Sequence, residues 1–170
     1  MLGAQRISKD IFLNTLFCPS LGWDLRHDLV QKDLSLGVRF RMEQGKEIHR
    51  LARELYPGGE YFFGQGERNG TSIAPDLLAN SDSGVFFESP FLFGDYITRA
   101  DILVKDRSAL ELIEVKSSVK EKAEQIDDMA YTALIAKESG VAPSTVSLLL
   151  LDKNYRQGMD QEFLFKKLDK

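Results

Sequence analysis

The chain is predicted to be α/β, a central mixed β-sheet flanked by α-helices. Three observations predict this. An amphipathic helical pattern runs from about Leu36 to Tyr56. A block of β-rich runs fills the stretch from Val85 to Val115, and a helical segment with a last strand follows it. Helices, a block of strands, a helix and a strand, in that order, are most simply packed as helices against a sheet.

The elements are justified in chain order. Ser8 can cap a short helix running through Ile11 to Phe17, which the Cys18-Pro19 pair ends. A second short helix starts near Trp23. From Leu36 to Tyr56 the apolar positions Val38, Met42, Ile48, Ala52 and Leu55 recur at helical steps, and Pro57-Gly58-Gly59 stops the pattern. Another short helix is expected over Ile73 to Ala79. Val85 to Ser89, Phe91 to Phe93, Tyr96 to Val104 and Ala109 to Val115 read as strands separated by turn residues. Lys122 to Glu138 is helical and ends at Gly140; Thr145 to Leu151 is a strand. A polar loop then leads to a C-terminal segment around Phe163 to Phe165.

Composition bounds the function less than the pattern does. With 170 residues, 43% apolar and 28% charged, one ordinary globular domain over residues 1–170 is the expectation. No apolar run approaches the roughly 20 residues that span a bilayer, so no membrane association is expected. No secretory signal pattern opens the chain. The single cysteine, Cys18, can make no intramolecular disulfide, and a reducing cytoplasm is the expected location. Twenty-six acidic against 22 basic residues give −4, which does not announce a nucleic-acid partner. Metal-dependent nucleases are a partial exception, because part of their acidic charge holds cations that face the phosphate.

The chemistry-bearing stretch is the hairpin Ile97 to Val104, a turn over Lys105 to Ser108, then Ala109 to Lys116. Alternate strand residues share a face, so Glu114 and Lys116 project together. With the turn closing the hairpin, Val104 pairs with Ala109 and Asp101 lies opposite Leu112, on that same face. A one-residue slip would send Asp101 to the other side. Two carboxylates offer hard oxygen ligands to Mg²⁺ or Mn²⁺, with the Val115 carbonyl as a third donor. Lys116 can orient a water or stabilise the transition state. The alternative is a solvated ladder of ion pairs. Against it, Ile97, Leu103, Leu110 and Leu112 occupy the same face, where a core belongs, and buried charges are expensive without a partner or a function.

Asp101 followed by Glu114-Val115-Lys116 resembles the PD-(D/E)XK nuclease signature, in particular its RecB-like branch, which includes CRISPR-adaptation exonucleases. The resemblance implies a restriction-endonuclease-like core and a histidine ligand from an upstream helix, matched here by His49 in Gly45-Lys46-Glu47-Ile48-His49. It assigns Asp101, Glu114 and Lys116 to catalysis and His49, Asp101, Glu114 and the Val115 carbonyl to the metal. The branch also carries a Gln-X-X-X-Tyr element that positions DNA. Asp127 and Tyr131 stand at that spacing, with aspartate replacing glutamine. Glu88 is a further acidic candidate, or an edge-strand charge that discourages aggregation. Ser8 to Phe12, Cys18-Pro19, Trp23, Arg50 to Gly59, Asn154-Tyr155 and Phe163 to Phe165 are similar to bacterial RecB-like domain proteins, often longer than this chain, which is then a compact version or a fragment. Iron–sulfur members need four cysteines, so no iron–sulfur cluster is expected.

The function so implied is a metal-dependent deoxyribonuclease, exonuclease-like, in DNA repair, recombination or defence. Its partners are DNA, single- or double-stranded, and a possible partner protein or additional domain. Lys46, Arg50, Arg53, Arg68 and Arg99 are the basic candidates for a DNA path. The alternative is a non-catalytic nucleic-acid-binding or scaffolding module on the same fold.

Overall fold

Side-chain caps and one proline set the N-terminal helices. The computed structural model describes residues 4–30, 35–61, 78 and 82–170. The Ser8 side chain accepts from the Ile11 N–H and opens α1, Lys9–Phe17. Cys18 closes it in an extended conformation at φ −151°, as a residue before proline prefers. Pro19 then starts α2, Pro19–Arg26, where its missing N–H does no harm. Ser35 caps α3, Leu36–Glu54, and α4 spans Ala123–Glu138. The helix expected over residues 73–79 lies outside the described residues, apart from Leu78, which is buried in the core.

Six strands form one sheet in sequential order: β1 Glu60–Tyr61, β2 Ser83–Phe93, β3 Tyr96–Asp106, β4 Ala109–Val115, β5 Thr145–Leu151 and β6 Phe165–Asp169. β2, β3 and β4 are an antiparallel meander; α4 carries the chain over to β5, which runs parallel to β4. β6 returns antiparallel and β1 pairs parallel to β2, so the sheet is mixed, as expected. One face packs Phe91, Leu103 and Leu112 against Tyr131 and Ile135 of α4. The other packs Phe87, Ile102, Ile113 and Leu149 against Ala52, with Ile48 and Leu51 of α3 beside them.

Two expectations about the strands need correction. The runs 85–89 and 91–93 are one continuous strand, β2, which passes through Pro90. The β3–β4 turn is shorter than expected, because Asp106 pairs with Ala109 and only Arg107 and Ser108 turn. Val104 therefore faces Glu111 and Leu112 faces Leu103, a shift of two positions from the expected register. Arg107 sits at φ 54°, in a conformation usually signalled by Gly or Asn, so the sequence carried no sign of so tight a turn. A shift of two preserves the side-chain faces.

The alternation itself breaks in the middle of the sheet. On β2, Phe86 and Phe91 share the α4-side core although they are an odd number apart, while Phe87 lies in the other core. On β3, Ala100 and Leu103 do the same, with Ile102 opposite. The breaks fall at Glu88, which has φ 55°, and at Asp101 on the neighbouring strand. A residue at such a break is turned away from the normal pleat.

α1 is seated on α2 through Gly22, where an added Cβ would lie 1.9 Å from Thr15 Oγ1 and 2.8 Å from the Thr15 backbone. Gly22→Ala is expected to destabilise the fold by about 1–3 kcal/mol through overpacking, outweighing alanine's helix propensity of about 1 kcal/mol. Thermal denaturation followed by circular dichroism checks this.

Candidate active site

β3 and β4 stop pairing where the charged residues begin. Their ladder ends at Ile102 opposite Ile113, and beyond it the Val115 N–H donates to Asp101 Oδ2 at 2.8 Å. The Asp101 carboxylate thus stands buried in the gap between the strands, within electrostatic range of Lys9, Glu114 and Lys116 on the α4 face.

On the α3 side, Asp101 Oδ1 lies 3.6 Å from His49 Nδ1. Glu88, displaced at the break in β2, joins them, and one donor atom from each of His49, Glu88 and Asp101 lies within 4.8 Å of the others. Arg53 Nη1 donates to Glu88 Oε1 at 3.2 Å, and Arg99 Nη1 stands 3.6 Å from Glu88 Oε2. A hollow of about 370 Å³, lined by Met42, Gly45, Lys46, His49, Arg53 and Glu88, opens onto this group.

On the α4 side the charges close into a ring. Lys9 Nζ donates to both oxygens of Glu114, at 3.1 and 3.0 Å, and stands 3.2 Å from Asp128 Oδ1. Lys116 Nζ lies 3.4 Å from Glu114 Oε2 and donates to Asp128 Oδ2. Around the ring the signs alternate: Lys9, Glu114, Lys116, Asp128. Its formal charge is zero, whereas the His49, Glu88 and Asp101 group carries two carboxylates, with Arg53 and Arg99 beyond them. A cleft of about 640 Å³ between α1 and α4 reaches this ring, bounded by Leu16, Phe17, Lys116, Asp127 and Asp128 among others.

The electrostatics follow from burial and neighbours. Glu114 is fully buried, and burial together with Asp101 pushes its carboxyl up, while Lys9 and Lys116 pull it back. Burial alone would lower Lys9 and Lys116; Glu114, Asp101 and Asp128 outweigh it and hold both ammonium groups charged. Burial would raise Asp128, but Lys9 and Lys116 outweigh it and hold its carboxyl below the usual range.

The expected residues are brought together unequally. Asp101, Glu114, Lys116 and His49 converge, and so does Glu88. Glu114, however, is turned to Lys9 rather than toward His49, and Val115 meets Asp101 through its N–H. Tyr131 is buried: its hydroxyl donates to the carbonyls of Ile7 at 2.5 Å and Ile97 at 3.2 Å, and its ring stacks on Phe12. Asp127 is exposed and borders the cleft. Among the basic candidates, Lys46 pairs with Glu43, Arg50 with Glu47 and Glu54, and Arg53 and Arg99 with Glu88. Arg68 lies outside the described residues.

Two site residues escaped the sequence reading. Asp128 had a signal: with Gln125, Thr132 and Ile135 it follows the helical step of the buried stripe of α4, which Asp127 does not. Lys9 had none, since its contact with Glu114 spans 105 positions of sequence.

No protein-family model matches the chain, and no curated protein matches it. Among solved structures it is similar to an alkaline exonuclease from Laribacter hongkongensis, with TM-score 0.48 and 12% identity, over 96% of this chain and 76% of that one. It is also similar to a protein designated SSO0001, with TM-score 0.43 and 10% identity, over 99% of this chain and 68% of that one.

Asp128 has a lowered folded pKa, so the stability it contributes is present above its unfolded value of 3.8 and is lost as the pH falls through the folded value. Asp128→Asn is therefore expected to cost about 2 kcal/mol at neutral pH, the scale of hydrogen bonds to charged groups. The difference from the unaltered protein should shrink in acid below pH 3.8. Urea denaturation at a series of pH values reads this directly.

Proposed function

We propose that the chain is a metal-dependent nuclease that hydrolyses phosphodiester bonds in DNA, with His49, Glu88 and Asp101 holding the metal and Lys116 serving the reaction. One observation carries the reading: Asp101 sits in the gap between β3 and β4, grouped with His49 and Glu88 on one face and within electrostatic range of Glu114 and the charged Lys116 on the other. The donor set fits a divalent cation, since two carboxylates and an imidazole can meet Mg²⁺ or Mn²⁺, which also keep several waters. When bound, such an ion supplies positive charge against the phosphate and makes water a better nucleophile at neutral pH.

The chain's own groups divide the remaining work. Lys116, kept charged by its acidic neighbours, can donate to a phosphate oxygen or orient the attacking water. Arg53 and Arg99 hold the Glu88 carboxylate. Lys46 and Arg53 line the hollow beside the metal group and mark the approach for a phosphate backbone. The choice of DNA comes from the resemblance to the RecB-like branch and not from a residue of the site, and exonuclease-like cutting rests on the likeness of the His-containing subgroup to exonucleases. Glu114 is assigned to the site's electrostatics in the form seen here, and to the metal as well if it turns.

A non-catalytic nucleic-acid-binding module is the second reading. The observation favouring it is the saturation of Glu114 by Lys9 and of Lys116 by Asp128.

Labelled linear and circular DNA, incubated with Mg²⁺, Mn²⁺ or EDTA, separates the two readings. Cutting that EDTA abolishes, and that Lys116→Ala reduces by on the order of 10²-fold or more, is expected. DNA binding without cutting in any metal would establish the module instead. His49→Ala and Glu88→Gln should each weaken Mn²⁺ binding by about tenfold or more, measured by calorimetry, since each removes one donor of a small set. Asp127→Asn should leave Mn²⁺ affinity unchanged.

A further inference from the structure

Lys9 is the unexplained group. It comes from α1, far in sequence from the strands, yet it places its ammonium against both oxygens of the fully buried Glu114. That is where an ion held by the carboxylate would stand. The placement is not left to a long flexible side chain alone. Ile7, two residues earlier, is tied to the sheet: its N–H donates to the Asp95 carbonyl at 2.8 Å, and its carbonyl accepts from the Ile97 N–H at 2.9 Å. The buried Tyr131 hydroxyl donates to the same carbonyl, and Ser8 then starts the helix. Backbone bonds, a buried tyrosine and a helix cap therefore aim Lys9 at Glu114.

We propose that Lys9 is a built-in counter-cation that competes with the metal ion for Glu114, so that the site binds its metal with only part of its acidic set until Lys9 is displaced. The inference rests on the metal-dependent reading above. With Lys9 in place, Glu114 is satisfied by two ammonium groups and contributes no atom to the group formed by His49, Glu88 and Asp101. Removing Lys9 frees Oε1 of Glu114 and leaves Oε2 with Lys116 alone. A fully buried carboxylate that has lost one of its two ammonium partners then gains from a cation that takes the vacated place. Lys9 is thus a positioning residue: it keeps the site from collapsing in the absence of metal, at the expense of affinity for the metal. Electrostatic competition of this kind differs from a merely structural ion pair, because its loss weakens the metal-free fold and strengthens metal binding together.

The test is calorimetric titration of Mn²⁺ into the full chain, into Lys9→Met and Lys9→Gln, and into both in a Glu114→Gln background. Circular dichroism confirms folding in each case. Lys9→Met is expected to bind Mn²⁺ about tenfold more tightly, the scale of one charge-assisted hydrogen bond removed from a carboxylate. Its melting temperature should be lower without Mn²⁺ and rise further on addition of Mn²⁺ than that of the unaltered chain. The tightening should vanish when Glu114 is glutamine. If Lys9→Met fails to fold, Lys9→Gln, which keeps a hydrogen-bond donor, reads the same quantity. Unchanged or weaker Mn²⁺ binding overturns the proposal while leaving the metal site intact. An equal tightening in the Glu114→Gln background also overturns it, because the effect would then be one of net charge alone. Absence of Mn²⁺ binding in every protein overturns the metal reading and this proposal together.

Discussion

The site depends on a single constraint: the strands must stop alternating where the charges stand. In an unbroken sheet, Asp101 would point squarely into one face, and Glu88 on the neighbouring strand would do likewise. The break in β2 and β3 turns both out of the pleat at the same level of the sheet. Asp101 then replaces a ladder bond by accepting from the Val115 N–H, which anchors its carboxylate and keeps the gap open. Without that anchor, the end of the β3–β4 ladder would leave a buried donor unpaired, at a cost of about 1–3 kcal/mol. The same contact that builds the site therefore also stabilises the sheet around it.

Everything else is arranged around that gap. α3 brings His49 and Arg53 from one side, because Ala52 between them is the position buried against the sheet. α4 brings Asp128 from the other side, on the stripe whose Thr132 meets Thr98 and whose Ile135 enters the core. α1 adds Lys9, held by the bonds Ile7 makes to β3 and to Tyr131. Each charged group thus leaves its helix close to a residue committed to packing, which fixes its position without a loop. Groups carried on regular elements are held more tightly than groups on loops.

Local patterns explain which parts were legible in the sequence. The helices α1, α3 and α4 were readable from caps, helical spacing and stop signals, and β4 and β5 from their apolar runs. Convergence of Glu114 with Lys116 followed from strand periodicity, and the site's second acid, Asp101, from the hairpin. The hairpin register was misjudged, since Arg107 adopts a left-handed conformation that its residue type does not advertise. The error of two positions happened to preserve the face. Glu88 was only a marginal candidate because a strand pattern assumes unbroken alternation, and its role comes from the break. Lys9 was invisible for a different reason: a contact between the first helix and the fourth strand is a property of the closed fold and leaves no local trace.

The charges themselves settle why such a site belongs in a chain that is acidic overall. A ring in which Lys9, Glu114, Lys116 and Asp128 alternate has no net charge, so it can be buried among apolar residues without a large field. Burying ion pairs nevertheless stabilises no better than well-packed apolar side chains of similar volume. Stability alone therefore gives no reason to place this ring between Leu112 and the α1–α4 cleft. The remaining acids, Asp101 and Glu88, lie beside the His49 imidazole rather than a lysine, and Glu88 is paired with Arg53 and Arg99. Lys46 and Arg53 line the hollow together with Glu88, and in the proposed function a divalent cation between the carboxylates would reverse their sign toward a phosphate. Under the proposed function, the net acidity of the chain and a phosphate substrate are thus compatible, because the acids that would repel the substrate are the ones that would hold the metal.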